Sequence, residues 1–260
     1  MKKKGKVVNL EAEAASRSPE STLGIAHTRW ATHGPPTDVN AHPHMDASRG
    51  VAVVHNGIIE NFSALKTALQ KAGYVFVSET DTEVLAHLVT DVRKKHPALS
   101  LESVVRLALA SVEGAFGVCF VFADQPDLLI GARHGSPLLL GVGEGEFFLA
   151  SDASAVIEHT KTVEYLKERE MVSISSCVIC GRGTLLPLRS IRSLPALAPI
   201  LSAATQAPPL THVPSPTPIC VGAATLFHPL TRPRSSAHQS SCASTFRLRP
   251  LKRAATSTLC

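Results

Sequence analysis

The sequence predicts an α+β protein in which helices pack against antiparallel strands, followed by a tail without regular structure. Apolar residues recur at helical spacing between positions 62 and 109. From position 115 the apolar runs become short, β-rich and separated by Gly, Pro and Asp. A run of strands after a block of helices is typical of layered α+β domains. A change of composition near residue 177 predicts the tail.

The first half of the chain predicts two strands and three helices. Strands are expected at 23–30 and at 51–55, where the Asn56-Gly57 turn signal ends the second strand. A helix is expected at 62–73, with Gly73 at its C-terminal end. Thr80 and Glu83 have the spacing of a capping box before a second helix, and Ser100 can cap a third.

The second half of the ordered region predicts a succession of strands. Four short β-rich runs separated by Gly, Pro and Asp lie at 115–122, 128–133, 137–142 and 146–150. A short helix is expected at 151–158, and further strands are expected at 162–166 and 171–174. Successive short strands of this kind favour antiparallel pairing.

The net charge of +5 hides two different compositions. The segment 1–176 contains 17 of the 26 Lys and Arg residues and all 21 acidic residues. The segment 177–260 contains the other nine basic residues, 11 of the 18 prolines and no acid. We therefore predict a flexible basic segment at 1–22, a domain at 23–176 and a disordered tail at 177–260.

The composition also limits the partners and the location of the protein. The basic residues of the tail are scattered singly without interleaved aromatic residues, so no nucleic-acid partner is expected. The sequence contains neither an apolar run long enough to span a membrane nor a secretory signal. A cytoplasmic protein without membrane contact is the resulting expectation.

Four polar motifs are the candidates for function. The first, His-Thr-Arg-Trp-Ala-Thr-His-Gly at 27–34, contains Arg29, which can bind a carboxylate through two parallel hydrogen bonds or can be an ordinary surface residue. The others are Asn-Ala-His-Pro-His at 40–44, His-Asn-Gly-Ile-Ile at 55–59 and Ser-Glu-Thr-Asp-Thr-Glu at 78–83.

Together the motifs resemble the glutaminase domain of the glutamine–fructose-6-phosphate aminotransferase (isomerizing) family, the glucosamine-6-phosphate synthases, from about residue 4 to about residue 174. The resemblance implies the α/β/β/α sandwich of N-terminal-nucleophile hydrolases. It also implies glutamine as substrate, no cofactor and a homo-oligomeric parent enzyme. That enzyme would transfer the amide nitrogen of glutamine to fructose 6-phosphate, using an isomerase domain that this sequence lacks.

The resemblance also implies roles for individual residues. Arg29 would hold the α-carboxylate of glutamine with help from Thr32 and His33, and Asp81 would bind its α-ammonium group. Asn56 and Gly57 would form the oxyanion hole through a side-chain amide and a backbone N–H. Trp30 would gate the path of the released ammonia, and His42 would line the site.

Simpler structural explanations exist for several of these residues. Asn56-Gly57 can be a hairpin turn, and Asp81 can be a residue favoured by the dipole at a helix N-terminus. His33, His42 and His44 lack a Cys or a paired carboxylate to complete a metal site, and Cys177-Val-Ile-Cys180 lacks a partner pair. No metal site is therefore expected.

The sequence departs from the family at the nucleophile. The family uses a cysteine at the mature N-terminus, whereas this sequence begins Met1-Lys2 and its first cysteine is Cys119, in an apolar β run. We therefore expect an N-terminally truncated, incomplete sandwich of poor stability that is inactive alone. The alternatives are a non-catalytic module that binds glutamine or associates with an enzyme, and a non-functional gene-model product.

Overall fold

The computed structural model describes residues 1–17, 21–175 and 247–248. The described helices are α1 Val7–Arg17, α2 Phe62–Lys71, α3 Glu83–Lys95 and α4 Leu101–Leu109, and a 3₁₀ helix spans Ala153–Ala155. The described strands are β1 Leu23–Gly24, β2 His44–Met45, β3 Val51–Ile59, β4 Gly114–Phe122, β5 Gln125–His134, β6 Leu139–Gly143, β7 Glu146–Ala150, β8 Val163–Tyr165, β9 Met171–Ser175 and β10 Arg247–Leu248.

The strands form two five-stranded sheets. The first sheet has the order β2-β3-β4-β5-β9, and the second has the order β1-β10-β7-β6-β8. The named strands pair antiparallel throughout. The α+β class and the antiparallel pairing predicted from the sequence are confirmed.

The layers follow from the alternation of side chains along the strands of the first sheet. Val53, Phe120 and Ile130 pack on one face with the buried residues of α3 and α4. Their neighbours Val54, Cys119 and Leu129 pack on the other face in a cluster that includes residues of the second sheet such as Leu140 and Leu149. Period-two alternation thus gives each central strand two buried faces.

The outer face of the second sheet packs against the 3₁₀ helix. Leu139 and Phe148 are fully buried there beside Val156. The described residues therefore form three layers, one of helices and two of sheets, and a short 3₁₀ helix packs on the outer face of the second sheet.

Most predicted elements are found close to their expected positions. Helix α2 ends just before Gly73, which has φ +89°. The side chain of Ser100 caps α4 by accepting a hydrogen bond from the backbone N–H of Ser103. Strands β4 to β9 all overlap the predicted runs.

The prediction that Asn56-Gly57 ends a strand is wrong. Strand β3 continues through both residues to Ile59, with Asn56 opposite Gly117 and Gly57 opposite Phe116. Gly57 has φ +124°, and a Cβ placed on it would lie 2.0 Å from the carbonyl oxygen of Ala115. The glycine thus permits close pairing with β4 where the sequence pattern indicated a turn.

Three further predictions of local structure are wrong. The strand expected at 23–30 is limited to Leu23–Gly24, whose partner β10 has only two residues, and the helix expected at 151–158 is limited to three residues. Thr80 and Glu83 do not form a capping box, because α3 begins at Glu83 and Thr80 Oγ1 lies 3.1 Å from His44 Nε2.

The described parts of the two ends of the chain contain one helix and one short strand, and the three predicted segments stay a prediction. The segment 1–22, expected to be flexible, contains helix α1. In the predicted disordered tail, Arg247–Leu248 form a strand, and the rest of 177–260 lies outside the described residues. Over the described ranges, no helix is both long and apolar enough to cross a membrane.

Candidate active site

A cavity open to solvent lies where the four polar motifs converge. Seven of the eight predicted site residues line it, from four separate segments of the chain. The lining residues are His27, Thr28, Arg29, Trp30, Thr32, His42, His55, Asn56, Gly57, Thr80, Asp81 and Thr82.

Arg29 provides the positive charge of the cavity. Its Nη2 donates hydrogen bonds to the main-chain carbonyls of His33 and Gly34, and its Nη1 donates to the carbonyl of Pro35 at 3.3 Å. Burial lowers the pKa of Arg29, and the negative charge of Asp81 opposes this shift. The loop after Arg29 therefore folds back and holds the guanidinium in place.

Asp81 provides the negative charge. Its side chain is almost fully buried, and its Oδ2 accepts a hydrogen bond of 2.9 Å from the backbone N–H of Ile59. Asp81 precedes the N-cap residue of α3, Thr82, and its carboxylate is directed to β3. This contact ties the carboxylate to the strand that contains Asn56 and Gly57.

His33 is the predicted site residue outside the cavity lining. Its Nδ1 lies 3.9 Å from Asp81 Oδ1, and its ring packs edge-on against Phe62. Only its main-chain carbonyl contacts Arg29. The imidazole is therefore located beside the carboxylate, whereas the resemblance implied that it assists the guanidinium.

Asn56 and Gly57 present polar groups from the middle of β3. Asn56 Oδ1 lies 2.9 Å from His27 Nε2, and its Nδ2 has no protein partner among the described residues. The backbone of Gly57 reaches the cavity surface without a side chain to block it. The amide hydrogens of Asn56 are therefore available to a ligand.

Trp30 and Thr32 lie at the exposed side of the cavity. The side chain of Trp30 is 72% exposed, which is unusual for so large an apolar group. Thr32 is also exposed.

Neutral histidines lie beside these groups: His27, His42 and His55 line the cavity, and His42, His44 and His55 are buried. Burial lowers the pKa of His27 to about 4 and that of His44 to about 3, and it lowers the pKa of His42 well below its ordinary value. Burial also lowers the pKa of His55, although Asp81 opposes this shift. These rings are uncharged near pH 7 and act as fixed hydrogen-bonding groups.

The hydrogen bonds of His55 determine the direction of a short chain of donors. His55 Nε2 faces the carbonyl of Ala115 at 3.4 Å and must donate to it, so Nδ1 accepts from Thr82 Oγ1 at 3.1 Å. Thr82 Oγ1 then accepts from His42 Nε2, also at 3.1 Å. Thr82, the residue after Asp81, is thereby held between the imidazoles of His55 and His42.

A second chain of hydrogen bonds holds the residue before Asp81. The carboxylate of Glu83 accepts from the backbone N–H groups of Val77 and Ser78 and from Ser78 Oγ at 2.5 Å. Ser78 Oγ can then accept from Thr80 Oγ1 at 3.0 Å, which in turn accepts from His44 Nε2. Burial acts to raise the pKa of Glu83, but its hydrogen bonds hold that pKa at about 2, so this carboxylate is charged.

Five lining residues were not predicted from the sequence to belong to the site: His27, Thr28, His55, Thr80 and Thr82. All of them lie within the motifs that were singled out, so membership of a motif was the available signal. Their roles depend on contacts between segments, such as His27 with Asn56 across 29 positions.

Neither a thiol nor a metal centre is part of the cavity in the described region. Cys119 is 2% exposed in the core between the sheets, as predicted, and burial raises the pKa of its thiol. Over the same residues, no group of three His, Cys, Asp or Glu side chains is placed to hold a metal ion. The chemistry of the cavity thus comes from a guanidinium, a carboxylate, an amide and neutral imidazoles.

Comparison with known proteins identifies the family. A family model described as a glutamine amidotransferase domain matches residues 27–158, just over half of the chain. The chain belongs to the glutamine amidotransferase domain family. The matched residues include all four motifs and every lining residue of the cavity.

Curated relatives of this amidotransferase domain are named glutamine–fructose-6-phosphate aminotransferase (isomerizing). The protein of Chlorobaculum tepidum is 54% identical over 178 residues, covering 67% of this chain and 29% of the relative. That of Streptomyces coelicolor is 50% identical over 174 residues, covering 66% of this chain and 28% of the relative. The chain thus spans under a third of the length of these relatives.

Among solved structures, the glutamine phosphoribosylpyrophosphate amidotransferase of B. subtilis, in complex with ADP and GMP, is similar to this amidotransferase domain. It is 26% identical with a TM-score of 0.48, and the match covers 57% of this chain and 32% of that chain.

Proposed function

We propose that the cavity binds L-glutamine and is the glutamine site of an amidotransferase. The observation that supports this most directly is the convergence of Arg29, Asn56 and Asp81 on one cavity from three separate segments. A free amino acid carries a carboxylate and an ammonium group, and glutamine adds a side-chain amide. The cavity offers one group of complementary chemistry for each.

Arg29 and Asp81 would recognise the α-carboxylate and the α-ammonium group. Arg29 is held by the carbonyls of residues 33–35 and Asp81 by the N–H of Ile59, so both charges are positioned before a ligand arrives. Prepositioned charges lose little conformational entropy on binding. Thr32 lines the cavity beside Arg29 and would assist it, while the His33 ring would support Asp81.

Asn56 and Gly57 would face the side-chain amide of glutamine. Attack on that amide carbon converts its oxygen into an oxyanion, which hydrogen-bond donors stabilise. Asn56 Nδ2 and the Gly57 backbone N–H are the two donors that we assign to it. Trp30 and His42 would line the remainder of the site and the exit path of ammonia.

We expect the polypeptide of residues 1–260 to bind glutamine without hydrolysing it. Hydrolysis of an amide by this route needs a nucleophile, and among the described residues the cavity lining contains no cysteine. Cys119 lies in the hydrophobic core with a raised pKa, so it cannot take that role. A non-catalytic glutamine-binding module is therefore the second candidate for this polypeptide, and the same cavity supports it.

The names of the relatives support a broader proposal for the whole protein. We propose that the domain supplies nitrogen from glutamine to fructose 6-phosphate, the two compounds in the names of these relatives. Glucosamine 6-phosphate as the product and a homo-oligomeric whole enzyme belong to the same proposal and come from the sequence resemblance. The cytoplasmic location expected from the sequence stays a prediction.

Isothermal titration with L-glutamine tests the proposed binding. We expect saturable heat with the purified chain, and a large loss of that heat in Arg29→Ala. The matched control is Arg106→Ala, because Arg106 lies in α4 away from the cavity lining. Absence of binding, or an equal loss in both variants, would refute the proposal. Cysteine-dependent release of glutamate from glutamine by the purified chain would refute the predicted inactivity.

A further inference from the structure

The orientation of the Asn56 amide decides whether the cavity presents a donor or an acceptor. An amide turned one way offers its NH₂ group, and turned the other way it offers its carbonyl oxygen. An oxyanion is stabilised by the first arrangement and repelled by the second. The contact that determines this orientation is therefore important for the proposed site.

The backbone of Asn56 is already held by pairing with β4. Asn56 lies opposite Gly117 and Gly57 lies opposite Phe116, in a register that continues to the end of β3. Only the side-chain torsions of Asn56 remain to be set. Within the described residues, the amide makes its hydrogen bond with His27 Nε2, at 2.9 Å from Oδ1.

The direction of the hydrogen bond follows from the atoms involved. Asn56 Oδ1 carries no hydrogen, so the proton in this bond belongs to His27 Nε2. The Nδ1 atom of the same ring is buried without a hydrogen-bond partner among the described residues, and the ring also lies close to the backbone of His55. The ring packs against that of His42 with centroids 3.9 Å apart, which restricts its rotation.

We propose that His27 is a positioning residue that holds the Asn56 amide with Nδ2 turned into the cavity. The inference rests on the proposed function, because it concerns how the glutamine amide is recognised. A purely structural His27 would support the shape of the cavity as a whole. A positioning His27 affects only the part of the ligand that contacts Asn56.

Two ligands separate these roles. L-Norvaline has the α-carboxylate and α-ammonium groups of glutamine but a methyl group in place of its side-chain amide. In His27→Leu we expect the affinity for glutamine to fall about three- to tenfold, as for the loss of one neutral hydrogen bond. The affinity for norvaline should change less than about twofold. Equal losses for both ligands, or no loss for glutamine, would overturn the inference.

His27→Gln provides the matched variant, since its side-chain amide retains an N–H donor. It should recover part of the preference for glutamine over norvaline, and a preference as low as that of His27→Leu would count against positioning. This variant also keeps the test decisive if His27→Leu fails to fold.

NMR of the ¹⁵N-labelled wild-type chain tests the inference without any ligand. We expect His27 to be neutral at pH 7 with its proton on Nε2, and the two Asn56 side-chain amide hydrogens to give sharp, distinct signals. A proton on Nδ1 would overturn the inference even if glutamine binds. If the wild-type chain binds no glutamine, the proposed function fails, while the tautomer still shows whether His27 donates to Asn56.

Discussion

Replacing Gly57 with alanine tests whether the close approach of β3 and β4 shapes the site. The new Cβ would lie 2.0 Å from the carbonyl oxygen of Ala115 and 2.7 Å from its carbon. Because real Cβ contacts essentially never fall below 3.0 Å, the two backbones must separate by about 1 Å there. Residue 57 would also be strained, because φ is +124°.

The expected cost combines strain and overpacking. A non-glycine residue in a disfavoured φ region costs about 1–3 kcal/mol, and forcing atoms into a packed region costs about 1–3 kcal/mol more. We therefore expect Gly57→Ala to lower the free energy of unfolding by about 2–6 kcal/mol. Where enough folded protein remains, it should also weaken glutamine binding, because the backbone beside Asn56 is displaced.

Urea denaturation followed by circular dichroism measures this cost. Gly73→Ala is the matched control, since Gly73 also has positive φ, +89°, but nothing lies within 4 Å of the position that a Cβ would take there. Its cost should be about 1–2 kcal/mol. The reasoning is refuted if Gly57→Ala destabilises the protein no more than Gly73→Ala does.

Three other measurements test the site and the core. Asp81→Asn should weaken glutamine binding about 10- to 100-fold in calorimetry, because it removes the charge opposite the ammonium group. The new side-chain amide oxygen can still accept the hydrogen bond from the backbone N–H of Ile59. An unchanged affinity would contradict the role assigned to Asp81. The free energy of unfolding should be highest above pH 6.5 and should fall as the pH is lowered toward 4. In the folded chain the pKa values of His27 and His44 lie below 6.5, so the unfolded chain takes up more protons in this pH range. His44 alone would lower the free energy of unfolding by about 2 kcal/mol between pH 7 and pH 5. Equal midpoints of urea denaturation at the two pH values would contradict this. Cys119 should resist iodoacetamide until the chain unfolds, as followed by mass spectrometry of its peptide, and rapid labelling of the native chain would show that the thiol is accessible.

Elements determined by local interactions were predictable from the sequence. Helix α4 follows from apolar residues at helical spacing and from the Ser100 cap, which acts within three residues. Helix α2 follows from the same spacing and from a glycine beyond its end. Such signals lie within one or two turns of the chain.

Elements determined by distant partners were not predictable in the same way. Asn56-Gly57 has the composition of a hairpin turn, yet β3 continues through it because β4, some 60 residues later, pairs with every residue as far as Ile59. Thr80 and Glu83 have the spacing of a capping box, but Thr80 contacts His44 instead. Tertiary contacts override local preference at both places.

The candidate site shows the same division. Arg29, Asn56 and Asp81 could be proposed because each lies in a motif with a chemical rationale. The contacts that position Asn56 and Asp81 could not, because they join residues far apart in sequence. Asp81 is bound by Ile59, 22 positions away, and Thr82 by His42, 40 positions away. These contacts form only when the strands and loops have assembled into the folded domain.

The structure of the chain with L-glutamine bound is the most direct test of the central claim. We predict the α-carboxylate at the Arg29 guanidinium, the α-ammonium group at Asp81, and the side-chain amide oxygen within hydrogen-bond distance of Asn56 Nδ2. Glutamine bound elsewhere, or in this cavity with its side-chain amide directed away from Asn56, would contradict the account.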